Sequence, residues 1–329
     1  MKNIFIIALF LVSFSNGAFA NADLPGLTQF IDEMEKKHGF DADKLTQLFA
    51  KVEVKDSILK AISRPAEKSK PWYEYRAIFI QEKRINDGVQ FWQQHLQALT
   101  KAQQKYGVPA EIIIAILGIE TRYGSNVGKY RVIDALSTLA FRYPKRSQFF
   151  RSELEHFLLL AREENISILD PVGSYAGAMG LGQFMPSSYR EYAVDFDDDS
   201  KRDIWTNPKD AVGSIANYLK RHGWVAEQSI AHQTHLLTLA VPSKLLAKGY
   251  KPAISRAELV VAGISLENLP KGNDKIALIS LTQQNGEEYW LTRQNFYVIT
   301  RYNHSRMYAM TVKQLGELIR KRYQQAQDN

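Results

Sequence analysis

The 329-residue sequence contains no cysteine. This absence excludes disulfide bonds, thiolate nucleophiles, cysteine-ligated zinc and a lipid-modified N-terminal cysteine. Beyond the first twenty residues the chain also has no apolar run long enough to cross a bilayer. We therefore predict a protein without covalent cross-links and without an integral membrane span after its N-terminus has been processed.

The first twenty residues have the build of a secretory signal peptide. Lys2 gives the positive start, residues 4–14 form the apolar stretch, and Ala18-Phe19-Ala20 is a small-x-small cleavage site. The stretch is short for a membrane span, which favours cleavage over a retained anchor. We predict a signal peptide over residues 1–20 and a mature protein that is exported, periplasmic and soluble.

The charge balance is mildly basic, with 42 Lys and Arg against 35 Asp and Glu and a formal net charge of +7. The basic residues are dispersed, so with export this balance argues against nucleic acid and suits an acidic polymer or an envelope surface. The basic run at 313–322 is expected to be the solvated face of a terminal helix.

Hydrophobic periodicity predicts a mainly α-helical chain of the α+β class, with a small antiparallel β insertion near its C-terminal end. Helices are predicted in the segments 24–62, 86–106, 134–141, 147–165, 208–222 and 311–324, and a polar connector at 64–71. Strands 275–282 and 288–292 flank the turn dipeptide Asn285-Gly286, and a further strand is predicted at 296–300.

One carboxylate ends an almost wholly apolar run. Residues 112–119 read Ile-Ile-Ile-Ala-Ile-Leu-Gly-Ile, Glu120 follows, and Gly124 is a plausible helix stop. Glu120 would lie in the last turn of a buried helix, where the helix dipole and burial both raise the pKa of a carboxyl. A retained proton makes Glu120 a candidate general acid. A surface glutamate, or a buried one paired with Arg122, is the structural alternative.

A glycine-rich passage lies downstream, with four glycines in residues 173–182. Glycine permits unusual dihedral angles and the close approach of backbone to a ligand. Serine, glutamine, methionine and aromatic residues are interspersed, which favours a ligand site over the alternative, close helix packing.

The segment 195–203, Asp-Phe-Asp-Asp-Asp-Ser-Lys-Arg-Asp, has acidic residues at positions 1, 3, 5 and 9 of a calcium-binding loop. It departs from the pattern at position six, where Ser200 replaces glycine, and at position twelve, where Thr206 replaces a bidentate acid. Asn207 is a candidate replacement ligand. We predict a weak calcium site that is structural rather than catalytic.

Four segments together resemble the membrane-bound lytic murein transglycosylase B family, whose catalytic core is lysozyme-like. They are Gly-Ile-Glu-Thr-Arg-Tyr-Gly at 118–124, the glycine-rich passage at 173–189, the acidic loop at 195–205, and Ile-Thr-Arg-Tyr-Asn-His-Ser at 299–305. The resemblance covers nearly the whole mature chain.

The resemblance implies an enzyme that cleaves the MurNAc–GlcNAc β-1,4 bond of peptidoglycan and forms 1,6-anhydro-MurNAc ends, with Glu120 as the sole acid and base. The C6 hydroxyl of the sugar is then an intramolecular nucleophile, so a second carboxylate is not required. Glycan strands are the expected partner, and other cell-wall enzymes are candidate partners. A hydrolytic muramidase and a non-catalytic murein-binding scaffold are the alternative functions.

The resemblance also implies site residues. The cleft would be lined by Ser174, Met179, Gln183, Phe184, Tyr218, Tyr302, Asn303, Tyr308 and Tyr75. Tyr218 would orient Glu120 or the acetamido group of the sugar. The calcium ligands would be Asp195, Asp197, Asp199, Asp203 and the backbone carbonyl of Lys201, and catalysis would need no cofactor.

Two further groups of charged residues are assigned from the sequence alone. Lys145 and Arg146 are candidates for binding substrate carboxylates, with ordinary surface charge as the alternative. Four other glutamates lie in amphipathic surroundings and are predicted to face solvent: Glu153, Glu155, Glu163 and Glu164.

The expected organisation is a lysozyme-like helical core with appended lobes. We divide the chain into a helical N-terminal lobe (21–75), the catalytic core with the acidic loop at 195–207 (76–226), a small β-rich domain (227–298) and a C-terminal segment that returns to the core (299–329).

Overall fold

The computed structural model describes residues 24–63 and 70–328. The predicted signal peptide and most of the predicted connector lie outside the described residues. Helices are α1 Leu27–His38, α2 Ala42–Phe49, α3 Asp56–Ile62, α4 Trp72–Phe79, α5 Glu82–Gln94, α6 Leu96–Tyr106, α7 Ala110–Thr121, α8 Val132–Arg142, α9 Ser147–Glu163, α10 Pro186–Tyr192, α11 Pro208–Arg221, α12 Ser243–Leu246, α13 Arg256–Val261, α14 Gln294–Tyr302 and α15 Arg306–Gln327. Strands are β1 Tyr130–Arg131, β2 Val172–Gly173, β3 Ala231–Thr234, β4 Ala277–Gln283 and β5 Gly286–Thr292.

Helix α7 lies at the centre of the helical body, as its apolar sequence predicts. It packs against α5, α6, α11 and α15, and all its residues from 112 to 118 are buried. A helix surrounded by other helices has no wet face, which is why no polar stripe interrupts the run. The mainly helical fold class is confirmed.

The β insertion is a three-stranded antiparallel sheet in the order β3-β5-β4. The β4–β5 hairpin pairs Leu278 with Leu291 and closes at Gln283 and Gly286, so the predicted hairpin is confirmed. Its turn is Gln284-Asn285, one residue before the predicted Asn285-Gly286. Behind it lies a separate apolar cluster that includes Ile254, Leu259 and Ile276. Strands β1 and β2 pair antiparallel within the helical body.

The predicted strand at 296–300 is wrong, because these residues lie in helix α14. Phe296, Val298, Ile299 and Thr300 are all buried there, and α14 packs against α15 and α11. Burial in a helical core outweighs the modest preference of β-branched residues for strands.

The single helix predicted at 86–106 is also wrong, since it is two helices. His95 leaves the helical region with φ −118° and ψ 24°, and α5 ends before it. The two halves have different neighbours, with α5 against α15 and α6 against α11.

The basic run of the terminal helix is not solvated throughout. Lys313 is only 8% exposed, and its Nζ atom lies 5.2 Å from the centre of the Trp290 ring. Its long aliphatic stem packs in the protein while its ammonium pairs with Glu317 at 2.8 Å. No helix within residues 24–63 and 70–328 has both the length and the hydropathy of a membrane span.

Candidate active site

Glu120 lies in the last turn of α7, as predicted, and it is partly buried. The helix ends earlier than the glycine signal indicated. Arg122 and Tyr123 adopt left-handed backbone angles, with φ of 51° and 58°, and the Tyr123 N–H donates to the Leu117 carbonyl. This tight stop turns the chain away immediately after the carboxylate.

Thr121 fixes this helix end against the glycine-rich passage. Its hydroxyl donates to the Leu181 carbonyl at 2.9 Å and accepts a hydrogen bond from the Gly124 N–H at 3.0 Å. Sequence reasoning missed this residue, because a threonine at a helix end is an ordinary choice and the partner lies 60 residues away.

The carboxylate of Glu120 accepts a hydrogen bond from a buried tyrosine. The Tyr308 hydroxyl lies 2.6 Å from Glu120 Oε1, and Tyr308 is 2% exposed. Burial, and then the charge of Glu120, hold the pKa of Tyr308 well above its ordinary value. The phenol therefore keeps its proton at neutral pH and acts as the donor to the carboxylate.

Three further aromatic residues complete one wall beside Tyr308. The rings of Tyr302 and Tyr308 are nearly parallel with centres 6.5 Å apart, and Phe184 lies 5.8 Å from both Tyr302 and Tyr218. The Tyr302 hydroxyl donates to the Gly182 carbonyl at 2.5 Å. An added Cβ at Gly182 would lie 2.9 Å from that hydroxyl, so the close approach requires glycine.

The hydroxyl of Tyr218 donates to the Arg301 carbonyl at 2.6 Å, and burial raises the pKa of the phenol. Its predicted role, orienting Glu120 or the acetamido group of the sugar, stays a prediction. Tyr308, whose hydroxyl does contact Glu120, was placed in the cleft by sequence reasoning without a stated role. Tyr75 lies close to Tyr308 and contributes, after burial and Glu120, to the raised pKa of that phenol; it is buried beside Trp72.

The polar side chains of the glycine-rich passage hold its own backbone. Ser174 Oγ accepts from the N–H groups of Ala176 and Ala178, and Gln183 Nε2 donates to the carbonyls of Val127 and Gly180. Met179 is fully buried. These contacts give the passage a fixed shape, which is what a preorganised binding loop needs.

The remaining predicted substrate residues lie in exposed positions. Asn303 follows the end of α14. Lys145 and Arg146 lie in a 3₁₀ turn between α8 and α9, and the Arg146 guanidinium stacks 4.0 Å from the centre of the Phe149 ring. The assignment of these three residues to substrate binding stays a prediction.

The four downstream glutamates have structural partners. Glu153 was predicted to face solvent, which is wrong: it is 4% exposed and accepts from the Ser187 N–H at 2.9 Å and the Ser187 hydroxyl at 2.7 Å. It thereby satisfies the first turn of α10. The other three pair with basic side chains: Glu155 with His38, Glu163 with Arg190, and Glu164 with Arg202.

One carboxylate oxygen from each of Asp195, Asp197 and Asp210 lies within 4.8 Å of the other two. Asp210 lies in α11, outside the twelve-residue window, and was therefore missed. Asp199 and Asp203 accept hydrogen bonds from nearby backbone N–H groups, and their assignment with Lys201 as calcium ligands stays a prediction.

Backbone N–H groups also donate to two of the grouped carboxylates: those of Asp199 and Ser200 to Asp195, and those of Phe196 and Asp203 to Asp210. Burial, together with the charges of Asp197 and Asp195, raises the pKa of Asp210. Ser200, at position six, has φ 71°, so it adopts the left-handed turn that glycine provides in calcium loops. The substitution that weakened the sequence pattern therefore leaves the backbone path intact.

Comparisons with known proteins agree with this fold. The model of the family described as "Transglycosylase SLT domain" matches residues 23–317. The chain is 45% identical over 313 residues to membrane-bound lytic murein transglycosylase B of Escherichia coli (strain K12). The aligned region covers 92% of this chain and 84% of that protein.

Two solved structures are similar over most of this chain. Lytic transglycosylase Slt35 of E. coli in complex with calcium is 43% identical, with a TM-score of 0.84 over 92% of this chain and 95% of that one. SltB3 of Pseudomonas aeruginosa in complex with NAG-anhNAM-pentapeptide is 31% identical, with a TM-score of 0.78 over 89% of this chain and 78% of that one. The lysozyme-like fold and the resemblance inferred from four short segments are thereby confirmed. The chain belongs to the transglycosylase SLT domain family and is a lytic transglycosylase that cleaves peptidoglycan.

Proposed function

We propose that Glu120 is the sole acid and base of this enzyme and that its products carry 1,6-anhydro-MurNAc ends. The observation that carries the proposal is the hydrogen bond from the buried Tyr308 hydroxyl to Glu120 Oε1, beside a wall of aromatic rings. Support for the product comes from SltB3, whose solved complex contains an anhydro sugar.

The hydrogen bond distinguishes the two carboxyl oxygens. In the protonated carboxyl, Oε1 acts as the carbonyl oxygen because it accepts from Tyr308. The transferable proton is therefore on Oε2. That proton passes to the glycosidic oxygen as its bond to C1 of MurNAc breaks. The C6 hydroxyl then attacks C1 and returns its proton to the carboxylate, so the acid is regenerated and no water is consumed.

Product mass distinguishes this reaction from its rivals. We expect purified protein to release fragments from sacculi whose ends are lighter by one water than those of a hydrolytic muramidase. Hydrated ends would show a muramidase, and no release would show a murein-binding scaffold. The structural partners found for Glu153, Glu155, Glu163 and Glu164 favour a mechanism with one carboxylate.

The contact with Tyr308 has a measurable consequence. We expect Tyr308→Phe to reduce kcat about tenfold or more, since a hydrogen bond to a charged group contributes roughly 1.5–3 kcal/mol. Tyr302→Phe is the matched control, because the Tyr302 hydroxyl donates to the Gly182 carbonyl instead. Initial rates of muropeptide release test the pair. Equal losses in the two variants would show that the contact with Glu120 has no special part in the rate.

We propose that the acidic loop binds one structural calcium ion through Asp195, Asp197 and Asp210, with the remaining oxygens of the loop completing the shell. Calcium prefers several carboxylate and carbonyl oxygens, and the Slt35 structure is a complex with calcium. The ion would offset two of the three negative charges of these carboxylates and fix the loop; no catalytic step involves it.

Calcium should therefore stabilise the protein. At millimolar calcium we expect Tm to rise by about 2–6 °C, the shift that corresponds to a calcium concentration ten to a hundred times the Kd. Asp197→Asn should remove most of this rise. Asp198→Asn is the control, because Asp198 is exposed and pairs with Lys101. Differential scanning calorimetry measures the shift, and a Tm insensitive to calcium would refute the site.

We propose that the mature protein is exported to the periplasm and released in soluble form after cleavage behind Ala20. The signal-like N-terminus and the absence of cysteine support this location. Cell fractionation tests the location, and the mass of the mature protein tests the cleavage site. Retention in the membrane fraction would refute the proposal. Within that compartment other cell-wall enzymes remain proposed partners.

We also propose the four-part division of the chain, with two boundaries moved. The boundaries after residues 75 and 298 fall inside α4 and α14, and a helix that packs as one unit belongs to one part. Boundaries before Trp72 and before Gln294 keep both helices whole. The separate apolar cluster behind β4 and β5 supports an independent β-rich part. Limited proteolysis tests the division, and cleavage within α4 or α14 would contradict it.

A further inference from the structure

A second cavity lies at the opposite end of α7 from Glu120. It has a volume of about 560 Å³, is open to solvent on one side, and is lined by the first turn of α7, the loop at 224–230, strands β3 and β5, and helix α15. This volume is within the range of ligand sites. Glu111 lines the cavity and lies nine positions before Glu120, so the two sites are about 13 Å apart along the helix axis.

Two buried polar atoms belong to residues that line this cavity. They are the indole Nε1 of Trp290, a donor, and Oε1 of Gln228, an acceptor. Within the described part of the chain, neither has a hydrogen-bond partner. Both atoms are covered in this structure, so a ligand reaches them only when the two side chains turn toward the cavity. A buried polar group without a partner costs about 1–3 kcal/mol, which a ligand that satisfies both atoms would recover.

Two ion pairs also line the cavity. Lys313 pairs with Glu317 at 2.8 Å, and Arg320 pairs with Glu111 at 3.2 Å. Both cations come from α15, whereas the carboxylates come from α15 and from the first turn of α7. Such pairs can exchange partners, the cations binding a ligand carboxylate and the glutamates a ligand ammonium.

We propose that this cavity binds a short peptide that carries both a free carboxylate and a free ammonium, the chemistry of the stem peptides of peptidoglycan. A peptide group supplies one carbonyl for Trp290 and one N–H for Gln228, and its charged ends match the two ion pairs. The acetamido group of an amino sugar satisfies the same two polar atoms but leaves the four charged side chains without a role. The cavity is thus a second substrate-binding site, which holds a stem peptide while the cleft acts on a glycan.

Indole N–H resonances give a direct test on the intact protein. The sequence contains five tryptophans, so selective ¹⁵N labelling gives five indole signals, and Trp290→Phe identifies that of Trp290. We expect titration with the tripeptide L-Ala-γ-D-Glu-L-Lys at millimolar concentrations to move the Trp290 signal in a saturable way. Signals of Trp72, Trp92 and Trp205, which lie outside the cavity, should not move.

A glutamine pair provides the matched variants. Gln228→Met should weaken the apparent affinity about five- to tenfold, the loss expected for one hydrogen bond. Gln283→Met, in β4 outside the cavity, should leave it unchanged. The Trp290 signal itself reports that each variant is folded. An unmoved Trp290 signal, an affinity insensitive to Gln228→Met, or movement with N-acetylglucosamine alone would overturn the proposal. The titration involves no cleavage, so its outcome is independent of the role proposed for Glu120.

Discussion

Glu120→Gln is expected to reduce muropeptide release from sacculi by about a thousandfold or more, within the range of general acid–base catalysis and at its upper end because one group performs both proton transfers. The amide keeps the volume of the side chain, and its carbonyl can still accept the hydrogen bond from Tyr308. It cannot donate a proton to the glycosidic oxygen. Folding should therefore be unchanged while activity is lost. Chromatography of released fragments and the unfolding midpoint measure the two effects.

Glu153→Gln is the matched control for this loss. Glu153 is more deeply buried than Glu120, and its oxygens accept from the backbone and hydroxyl of Ser187. Its replacement should lower stability by about 1–2 kcal/mol and leave the activity of the folded protein largely intact. A Glu120→Gln enzyme that retains a tenth of the wild-type rate would refute the single-carboxylate mechanism.

Gly180→Ala is expected to lower the free energy of unfolding by about 3 kcal/mol, from a left-handed backbone and a clash together. Gly180 has φ 68°, and an added Cβ would lie 2.5 Å from the Ile204 carbonyl oxygen. Ile204 belongs to the acidic loop, and its carbonyl also accepts from the Leu181 N–H at 2.9 Å. The substitution would therefore separate the glycine-rich passage from the acidic loop.

Gly249→Ala measures the backbone strain alone, so the difference between the two variants gives the cost of the clash. Gly249 has φ 73°, but an added Cβ there has no neighbour within 4 Å. We expect it to cost about 1 kcal/mol, the strain term alone. Chemical denaturation of both variants gives the difference. Losses of equal size would mean that the contact with Ile204 relaxes at little cost and that the two loops are not rigidly joined.

Local patterns predicted the elements whose determinants are close in sequence. The apolar run before Glu120 predicted a buried helix, and the hairpin follows from two adjacent strands, whose pairing places the turn at Gln284-Asn285. The wrong elements also come from reliance on local pattern. Residues 296–300 have the composition of a strand, yet they pack as a helix because α11 and α15 enclose them.

The chemistry of the site depended more on distant partners. Tyr308 is 188 residues from Glu120, and no spacing in the sequence relates the two. Asp210 joins the acidic loop from a following helix, and Thr121 contacts a carbonyl 60 residues away. Glu153 looked like a surface residue because its amphipathic helix does not reveal that Ser187 covers it.

The sequence by itself determined the helical core, the carboxylate at the end of its central helix, the glycine-rich and acidic segments, and the family resemblance. These follow from periodicity, helix-stop residues and local motifs, which act over a few residues. Only the tertiary structure decided which hydroxyl meets the carboxylate, which aspartate completes the acidic cluster, and where a second cavity opens between α7, α15 and the sheet. Side-chain partners of this kind depend on how whole elements pack, and packing is fixed by contacts between residues far apart in the chain.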